Sequence, residues 1–217
     1  MGNRAIITGK ESHIGVYVHW NGGRDSVEAM LETAYYRSRT GLGADAYDQG
    51  LTTLINIASN FLGDSVTIVT IDPENLFKTD PGDNGVYVVD ENWEIIDRVN
   101  APDEEQYSHD HLELMITIDE HQPAHLQLGE EFLRAEKVDP HGLKVNDEVF
   151  IRDKYGDTLY KKVRVVHIGN PTGEKVPGGI GDNAPYLGTY APSNPNGYLT
   201  EDDCHKGKAR LAVPKLC

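Results

Sequence analysis

Cysteine, basic residues and long apolar runs are all scarce in this chain of 217 residues. The two cysteines, Cys204 and Cys217, are not spaced like the disulfide framework that holds a small secreted domain together. No apolar run approaches the roughly 20 residues that cross a bilayer, and the first residues lack the apolar core of a signal peptide. We therefore expect reduced cysteines, a cytoplasmic location and no membrane partner.

Basic residues are fewer than acidic ones: the chain has 20 Lys and Arg and 35 Asp and Glu, which gives a formal charge of −15. This balance argues against nonspecific nucleic-acid binding, which depends on clustered Lys and Arg. Two interpretations remain: an acidic surface for solubility, or an acidic surface that imitates DNA and occupies a host enzyme. The acids are interspersed with Lys, His and apolar residues, which favours solubility.

The familiar catalytic and metal-binding signatures are missing as well. The chain has no Gly-x-Ser-x-Gly elbow, no paired-Cys zinc motif, no kinase set and no Walker A or Rossmann glycine pattern. The stretch "HDH" at 109–111, near Glu113 and His121, would place two histidines on one face only if it were a strand. Helical spacing is favoured there, so we predict no metal and no cofactor.

Alternating β-branched residues predict several strands in the first 125 residues. The segments 4–8 and 14–20 flank the polar turn "GKESH" and predict a hairpin. The segment 65–72, "SVTIVTID", predicts a single strand, and 84–99 predicts a second hairpin that turns near 90–92. These strands indicate one antiparallel or mixed sheet.

The first helix is predicted directly after a Gly-Gly turn, in "DSVEAMLETAYYRSR". Asp25 or Ser26 is the predicted N-cap, and Glu28 stands three residues after Asp25 as in a capping box. Gly41 and Gly43 are expected to stop this helix.

Two further segments have helical spacing. The segment 46–63 ends at Gly63, a predicted C-terminal glycine, and the segment 107–122 has Ser108 as its predicted cap. The predicted buried face of the second helix contains Leu51, Leu54, Ile55, Ala58, Phe61 and Leu62.

The residue pattern changes beyond residue 125. Residues 126–169 predict a small β module with a tight turn at Tyr155–Asp157, and residues 170–217 predict an irregular or flexible tail rich in Pro, Gly and Tyr. The predicted fold class is α+β: a core domain at 1–125 with two or three helices packed on a sheet, followed by the β module and the tail.

The strings "MGNRAIIT", "HWNGGRDSVEAML" and "GDNGVYVVDENWEIIDR" resemble a family of uncharacterised proteins of bacteriophages, prophages and other mobile elements. The resemblance covers roughly the first 100 residues. It implies a source and a context, the cytoplasm of a bacterial host, rather than a mechanism.

The turn between the second strand and the first helix is the best candidate site. Glycines allow an anion to approach the amides at the start of a helix, an Arg can clamp a phosphate, and a Trp can stack on a base. A nearby His would exchange protons near neutral pH. The alternative is a tight turn followed by a capped helix with no ligand. The candidate residues are Arg4, His19, Trp20, Asn21, Gly22, Gly23, Arg24 and Asp25.

Three functions are compatible with these residues. The first is an anti-defence accessory protein that binds and sequesters a small anionic, nucleotide-like ligand. The second is a hydrolase of that ligand, with His19 as acid and base, Arg24 as phosphate clamp and Asp25 orienting one of them. The third is an acidic partner of a host protein; a homo-oligomer is compatible with all three.

Overall fold

In the computed structural model the chain forms two compact units, Met1–Gln127 and Leu128–Cys217. The division lies close to the predicted boundary at 125/126. Within the part of the chain described here, no helix is both long and apolar enough to cross a lipid bilayer. The residues that the structure describes are 3–38, 42, 49–105, 107–135, 148–152, 160–168, 187–191 and 194–199.

A mixed sheet forms the centre of the first unit. Its strands are β1 (Ala5–Gly9), β2 (Ile14–Val18), β3 (Val66–Thr70), β4 (Val86–Val89) and β5 (Ile95–Val99). Their order across the sheet is β3-β2-β1-β4-β5. Strand β1 runs parallel to β4, and every other neighbouring pair is antiparallel. Together with the helices, this sheet confirms the predicted α+β class.

Both predicted hairpins and the single strand between them are confirmed. Strands β1 and β2 pair over residues 5–8 and 15–18. At the turn between β4 and β5, the amides of Asn92 and Glu94 donate to the Asp90 carboxylate at 2.8 and 2.9 Å. The side chain of Asp90 therefore closes a turn that the sequence places between two β-branched runs.

The three predicted helices of the first unit are also present. They are α1 (Arg24–Arg37), α2 (Gln49–Leu62) and α3 (His111–Glu120), and α1 packs against both of the others. Helix α1 ends at Ser38, whose amide donates to the Ala34 carbonyl at 2.7 Å. The predicted stop at Gly41 and Gly43 lies outside the described residues.

The predicted capping of α1 is wrong. Gly23 is the N-cap, no side chain caps the helix, and the Gly23 carbonyl accepts from the Val27 amide at 3.0 Å. Asp25 lies inside the first turn and is held by the loop before α3. Glu28 does not reach back to a cap amide but pairs with Arg24 at 2.8 Å. A long-range contact thus overrides the local capping pattern.

The cap of α3 differs from the predicted one in a similar way. The Asp110 carboxylate, not the Ser108 hydroxyl, accepts from the Glu113 amide at 3.0 Å. The Ser108 amide donates instead to Asp25. The helix is confirmed, but its first turn begins two residues later than its predicted cap requires.

Helix α2 buries three of the six residues of its predicted apolar face. Leu51, Leu54 and Ala58 are buried as expected, and Ile57 joins them. Gly63 follows the helix with a φ of +61°, the left-handed conformation expected of a C-terminal glycine. The other predicted members of the face, Ile55, Phe61 and Leu62, are only half-buried.

Strand β1 is buried along its whole length. On one face Ile6 packs with Ile71 and Val86, and Leu76 from the 3-10 segment Pro73–Lys78 covers them. Alternation along the strand turns its other side chains to the opposite face. Because both faces are covered, β1 is a rigid base for the segments attached to its ends.

The second unit contains a sheet of its own, whose neighbouring strands are antiparallel. Its strands are β6 (Glu148–Arg152), β7 (Tyr160–Ile168), β8 (Leu187–Ala191) and β9 (Asn194–Leu199), in the order β6-β7-β8-β9. The first two lie in the predicted β module, whose turn at Tyr155–Asp157 falls outside the described residues. The last two lie within 170–217, where the sequence predicts an irregular tail. Their glycine and asparagine content explains why local propensity does not identify them.

Three buried aromatic side chains pack together in the second unit. Phe132, from the short helix α4 (Glu130–Leu133), stacks on Tyr160 with ring centroids 4.1 Å apart. Its edge also meets the Phe150 ring at 5.7 Å. The stack joins a helix that precedes the sheet to the first two strands of that sheet.

Candidate functional site

The backbone of the candidate turn is fixed at Gly22. Its amide donates to the Asn3 carbonyl at 2.7 Å, and its own carbonyl accepts from the Tyr87 hydroxyl at 3.0 Å. A Cβ atom built on Gly22 would lie 2.7 Å from the Ala5 Cβ and 2.7 Å from the Asn3 carbonyl oxygen. Only glycine therefore fits between the turn and the beginning of β1.

Gly23 does not share this requirement. Its φ of −62° and ψ of 156° are accessible to any residue, so no positive φ reserves the position for glycine. The one left-handed residue of the turn is Asn21, with a φ of +56°. Asparagine is among the few non-glycine residues that adopt this conformation readily.

Two aromatic side chains project from the turn just before these fixed residues. Trp20 is 48% exposed, and the His19 ring stands edge-on to it with centroids 4.8 Å apart. The His19 Nδ1 atom lies 3.0 Å from the Tyr17 hydroxyl, and the His19 amide donates to the Ser65 carbonyl at 2.9 Å. His19 is thus anchored on both its backbone and its ring, and it supports the exposed indole.

Arg24 lies at the first position of α1 and already has carboxylate partners. Its Nε donates to Glu28 at 2.8 Å, and its Nη1 lies 3.6 Å from a Glu105 oxygen. The hydrogen bond that Arg24 donates to Glu28 raises the pKa of the guanidinium above its usual range. An anion that binds Arg24 has to compete with two carboxylates.

Glu105 also pairs with a second guanidinium, that of Arg98 on β5. Arg98 lies over the Tyr87 ring with its guanidinium carbon 4.0 Å from the ring centroid, and its Nε donates to the Asn84 carbonyl at 2.9 Å. Burial raises the pKa of Tyr87, whose hydroxyl remains a donor to Gly22. A chain of contacts therefore connects β5 to the turn.

Arg4 does not join the turn through its side chain. Its Nε and its backbone amide both donate to Asp83 Oδ2, at 2.9 and 3.1 Å. Hydrogen bonding between the two side chains raises the pKa of Arg4 and lowers the pKa of Asp83. Gly82, at a φ of +103°, leaves room for the guanidinium. Arg4 is thus engaged by the loop before β4, and its role as a second anion contact stays a prediction.

Asp25 is the most strongly held member of the set. Its buried carboxylate accepts from the amides of Ser26, Ser108 and His109 at 2.7, 2.8 and 3.0 Å. The Nδ1 atom of His109 lies 2.9 Å from the same carboxylate. Burial alone would raise the pKa of Asp25, but hydrogen bonds from Ser108, His109 and Ser26 outweigh it, and the pKa is lowered. Asp25 is therefore an ionised anchor for the loop before α3.

A second acid of α1 meets a second histidine at the start of α3. His111 Nε2 lies 2.7 Å from Glu32 Oε2, and this hydrogen bond raises the pKa of His111. His109 and His111 thus pair with separate carboxylates, those of Asp25 and Glu32. Among the residues that the structure describes, no group of three or more His, Cys, Asp or Glu side chains is arranged to hold a metal ion.

The structure therefore divides the predicted site. Residues 19–23 form the turn and Arg24 and Asp25 begin α1, while Arg4 is engaged by a different loop. Sequence reasoning missed the long-range partners of residues 22–25, which are Tyr87, Glu105 and His109. No local pattern identifies them, because they lie more than sixty residues away along the chain.

Two side chains of this region are available to a ligand. The exposed Trp20 ring offers an apolar face for a planar group, with an imidazole beside it. Asp25 occupies the Nδ1 side of His109, so Nε2 is the atom of that half-exposed ring that can exchange a proton with a ligand or water.

Comparison with protein-family models, with curated proteins and with solved structures gives no match for this chain. The assignment of a function therefore depends on the geometry of the turn and of its long-range partners.

Proposed function

We propose that this protein binds a small anionic, nucleotide-like ligand at the turn 19–24 and sequesters it in the cytoplasm of a bacterial host. The resemblance of the first 100 residues to phage and mobile-element proteins supports an anti-defence role, in which removal of a host nucleotide signal benefits the invading element. The single observation that carries the proposal is the exposed Trp20 on a backbone held from both sides at Gly22.

An exposed indole on a rigid turn is suited to stacking. Aromatic stacking on a nucleobase contributes about 1–3 kcal/mol per base. A turn fixed by Asn3 and Tyr87 loses little conformational freedom when the ligand binds, so more of that energy remains as affinity. His19 stands beside the ring and is positioned to meet a polar edge or a phosphate of the same ligand.

The charge on the ligand is expected to contribute less than the stacking. Arg24 would have to leave Glu28 or Glu105 to hold a phosphate. A hydrogen bond to a charged group contributes roughly 1.5–3 kcal/mol, and the lost ion pairs reduce that gain. The proposed ligand is therefore recognised mainly by its base.

Tryptophan fluorescence can report ligand binding to this chain. Of its two tryptophans, Trp20 is exposed and Trp93 is 7% exposed. A Trp93→Phe variant therefore reports on Trp20 alone. We expect cyclic dinucleotides or adenosine-diphosphate-ribose derivatives to quench its fluorescence in a saturable way, with calorimetry giving the affinity.

The matched control is Phe77→Ala, which removes another exposed aromatic, 63% exposed, from the 3-10 segment. Measured by calorimetry, Trp20→Ala should weaken binding about tenfold or more, and Phe77→Ala should leave it unchanged. Absence of binding to every nucleotide tested, with a folded protein, would contradict the proposal.

A second candidate function is supported by one specific contact. Asp25 orients His109, rather than His19 or Arg24, as an acid orients a general base. In a hydrolase of the same ligand, His109 Nε2 would take a proton from a water molecule whose oxygen attacks phosphorus. The P–O bond to the leaving group would then break, and the leaving group would take up a proton.

Ligand recovery separates the two functions. The protein is incubated with a bound nucleotide and then heat-denatured, and the supernatant is analysed by chromatography. A sequestering protein returns the nucleotide unchanged, whereas a hydrolase returns products. If products form, His109→Gln should prevent their formation and leave binding at Trp20 intact.

A further inference from the structure

Strand β3 forms one edge of the sheet in the first unit. Among the described residues its backbone pairs with β2 alone, from Val66 opposite Val18 to Thr70 opposite Ile14. The central residue, Ile68, is 54% exposed. The outer side of this strand therefore presents backbone amides and carbonyls beside an apolar side chain.

The opposite edge of the same sheet is different. Strand β5 carries Asp97 and Arg98, and its pairing with β4 is interrupted by an irregularity between Val88 and Val89. The strand is followed by Asn100, whose φ is +56°. Charges and irregular pairing are the usual means by which proteins prevent an edge from pairing with another strand. The regular, uncharged β3 contains none of them.

The sequence of β3 is also complementary to itself. In the antiparallel arrangement centred on Ile68, Val66 faces Thr70 of the other copy, and Thr67 faces Val69. Each β-branched residue then meets another β-branched residue, which is a favourable cross-strand pair. No charge lies within the paired residues, although the chain as a whole carries −15 and would otherwise repel a second copy.

We propose that a second copy of this chain pairs antiparallel with β3 and extends the sheet across a twofold axis at Ile68. Asp64 and Asp72, just beyond the strand, would face each other across the axis. The small contact predicts a weak, concentration-dependent dimer, and the facing carboxylates predict that added salt strengthens it. This inference is independent of the proposed ligand.

The first test is sedimentation of the full chain over a wide concentration range, with and without added salt. The parent should shift from monomer to dimer as concentration rises. Ile68→Lys places two like charges opposite each other and should weaken dimerisation about tenfold or more, while Ile96→Lys on the β5 edge should not. A parent that stays monomeric at every concentration, or an Ile68→Lys variant that dimerises like the parent, overturns the proposal.

The second test uses cross-linking and does not require a weakened variant. In a Cys204→Ser, Cys217→Ser background, Ile68→Cys should form a disulfide-linked dimer under mild oxidation, because residue 68 faces its own copy. Ile96→Cys, a comparably exposed position, is the control. Equal cross-linking of the two variants would contradict pairing at β3. Adding Trp20→Ala to the Ile68→Cys variant should leave its cross-linking unchanged, which separates this interface from the ligand site.

Discussion

The segment 19–25, which leads from β2 into α1, has two halves whose side chains make different contacts. His19 and Trp20 present rings to the solvent, supported by Tyr17 and by the sheet. Arg24 and Asp25, a few residues later, are engaged by acids and by the loop before α3. A residue type that suits ligand binding therefore does not identify a ligand contact; the long-range partners decide whether it binds a ligand or holds the fold together.

The largest loss of stability is expected at Gly22, which lies between the two halves. Gly22→Ala should destabilise the protein by about 3 kcal/mol, because the added methyl group meets the Asn3 carbonyl and Ala5. The free energy of unfolding from urea titration measures it. Gly63→Ala is the control: among the described residues nothing lies within 4 Å of its added Cβ, so only the cost of a positive φ, about 1 kcal/mol, is expected. Equal losses would show that the close approach at Gly22 is unimportant.

Asp25→Asn should have the next largest effect, a loss of about 2 kcal/mol, because the neutral amide accepts fewer and weaker hydrogen bonds from the loop. The pKa of Asp25 is lowered in the folded state, so its contribution is present above the unfolded pKa and is lost as the pH falls through the folded pKa. Urea titration at several acidic pH values should show a smaller loss of stability on acidification in the variant. An unchanged acid dependence would remove Asp25 as the anchor.

A smaller effect is expected from the pair Glu32 and His111. The pKa of His111 is raised, so the pair stabilises fully below the unfolded pKa of about 6.5 and its contribution is lost as the pH rises through the folded value. Glu28 and Asp110 also favour the charged imidazole. Both partners of the pair are partly exposed, so we expect less than about 1 kcal/mol.

The pH dependence of thermal unfolding measures this contribution. Glu32→Gln should flatten the decline of stability above neutral pH. His13→Asn replaces an exposed histidine in the turn between β1 and β2 and should leave the decline unchanged. A decline that is the same in all three proteins would assign it to other groups.

The smallest change in stability is expected at Arg24. Its ion pairs are half-exposed, so Arg24→Ala should alter the free energy of unfolding by no more than about 0.5 kcal/mol. Arg134→Ala, which removes a comparable pair with Glu130 at 2.8 Å, is the matched control. Calorimetry then decides the ligand question: weaker nucleotide binding in the first variant alone would support a phosphate contact, and equal binding would exclude Arg24 from the site.

The sequence was sufficient to predict the strands and helices of the first unit, because period-2 and helical patterns depend on which face is buried. The hairpin of β1 and β2 and the helix α2 are examples. It was not sufficient to predict the capping of α1. Asp25 matches a local capping pattern, yet its carboxylate meets amides at positions 108 and 109. Local and distant amide donors compete for the same carboxylate, and the sequence pattern does not show which of them binds it.

The same limit applies to the candidate site. The turn was found because Gly-Gly, Trp and Arg are adjacent in sequence, and the structure keeps them adjacent. The partnership of Arg4 with Asp83, and of Arg24 with Glu105, arises from the folding of distant loops over the strand ends. The sheet order that brings these loops together follows no local rule, since β1 lies between β2 and β4.

The parallel pairing of β1 with β4 has a consequence for the order of events during synthesis. Ile6 aligns with Val86, so β1 leaves the ribosome well before the distant segment that pairs with its second side. The hairpin with β2 can form early, because its contacts are local, whereas closing the long loop to β4 is slow. Until then the apolar strand β1 has one uncovered edge, and the growing chain is most prone to aggregation in that interval.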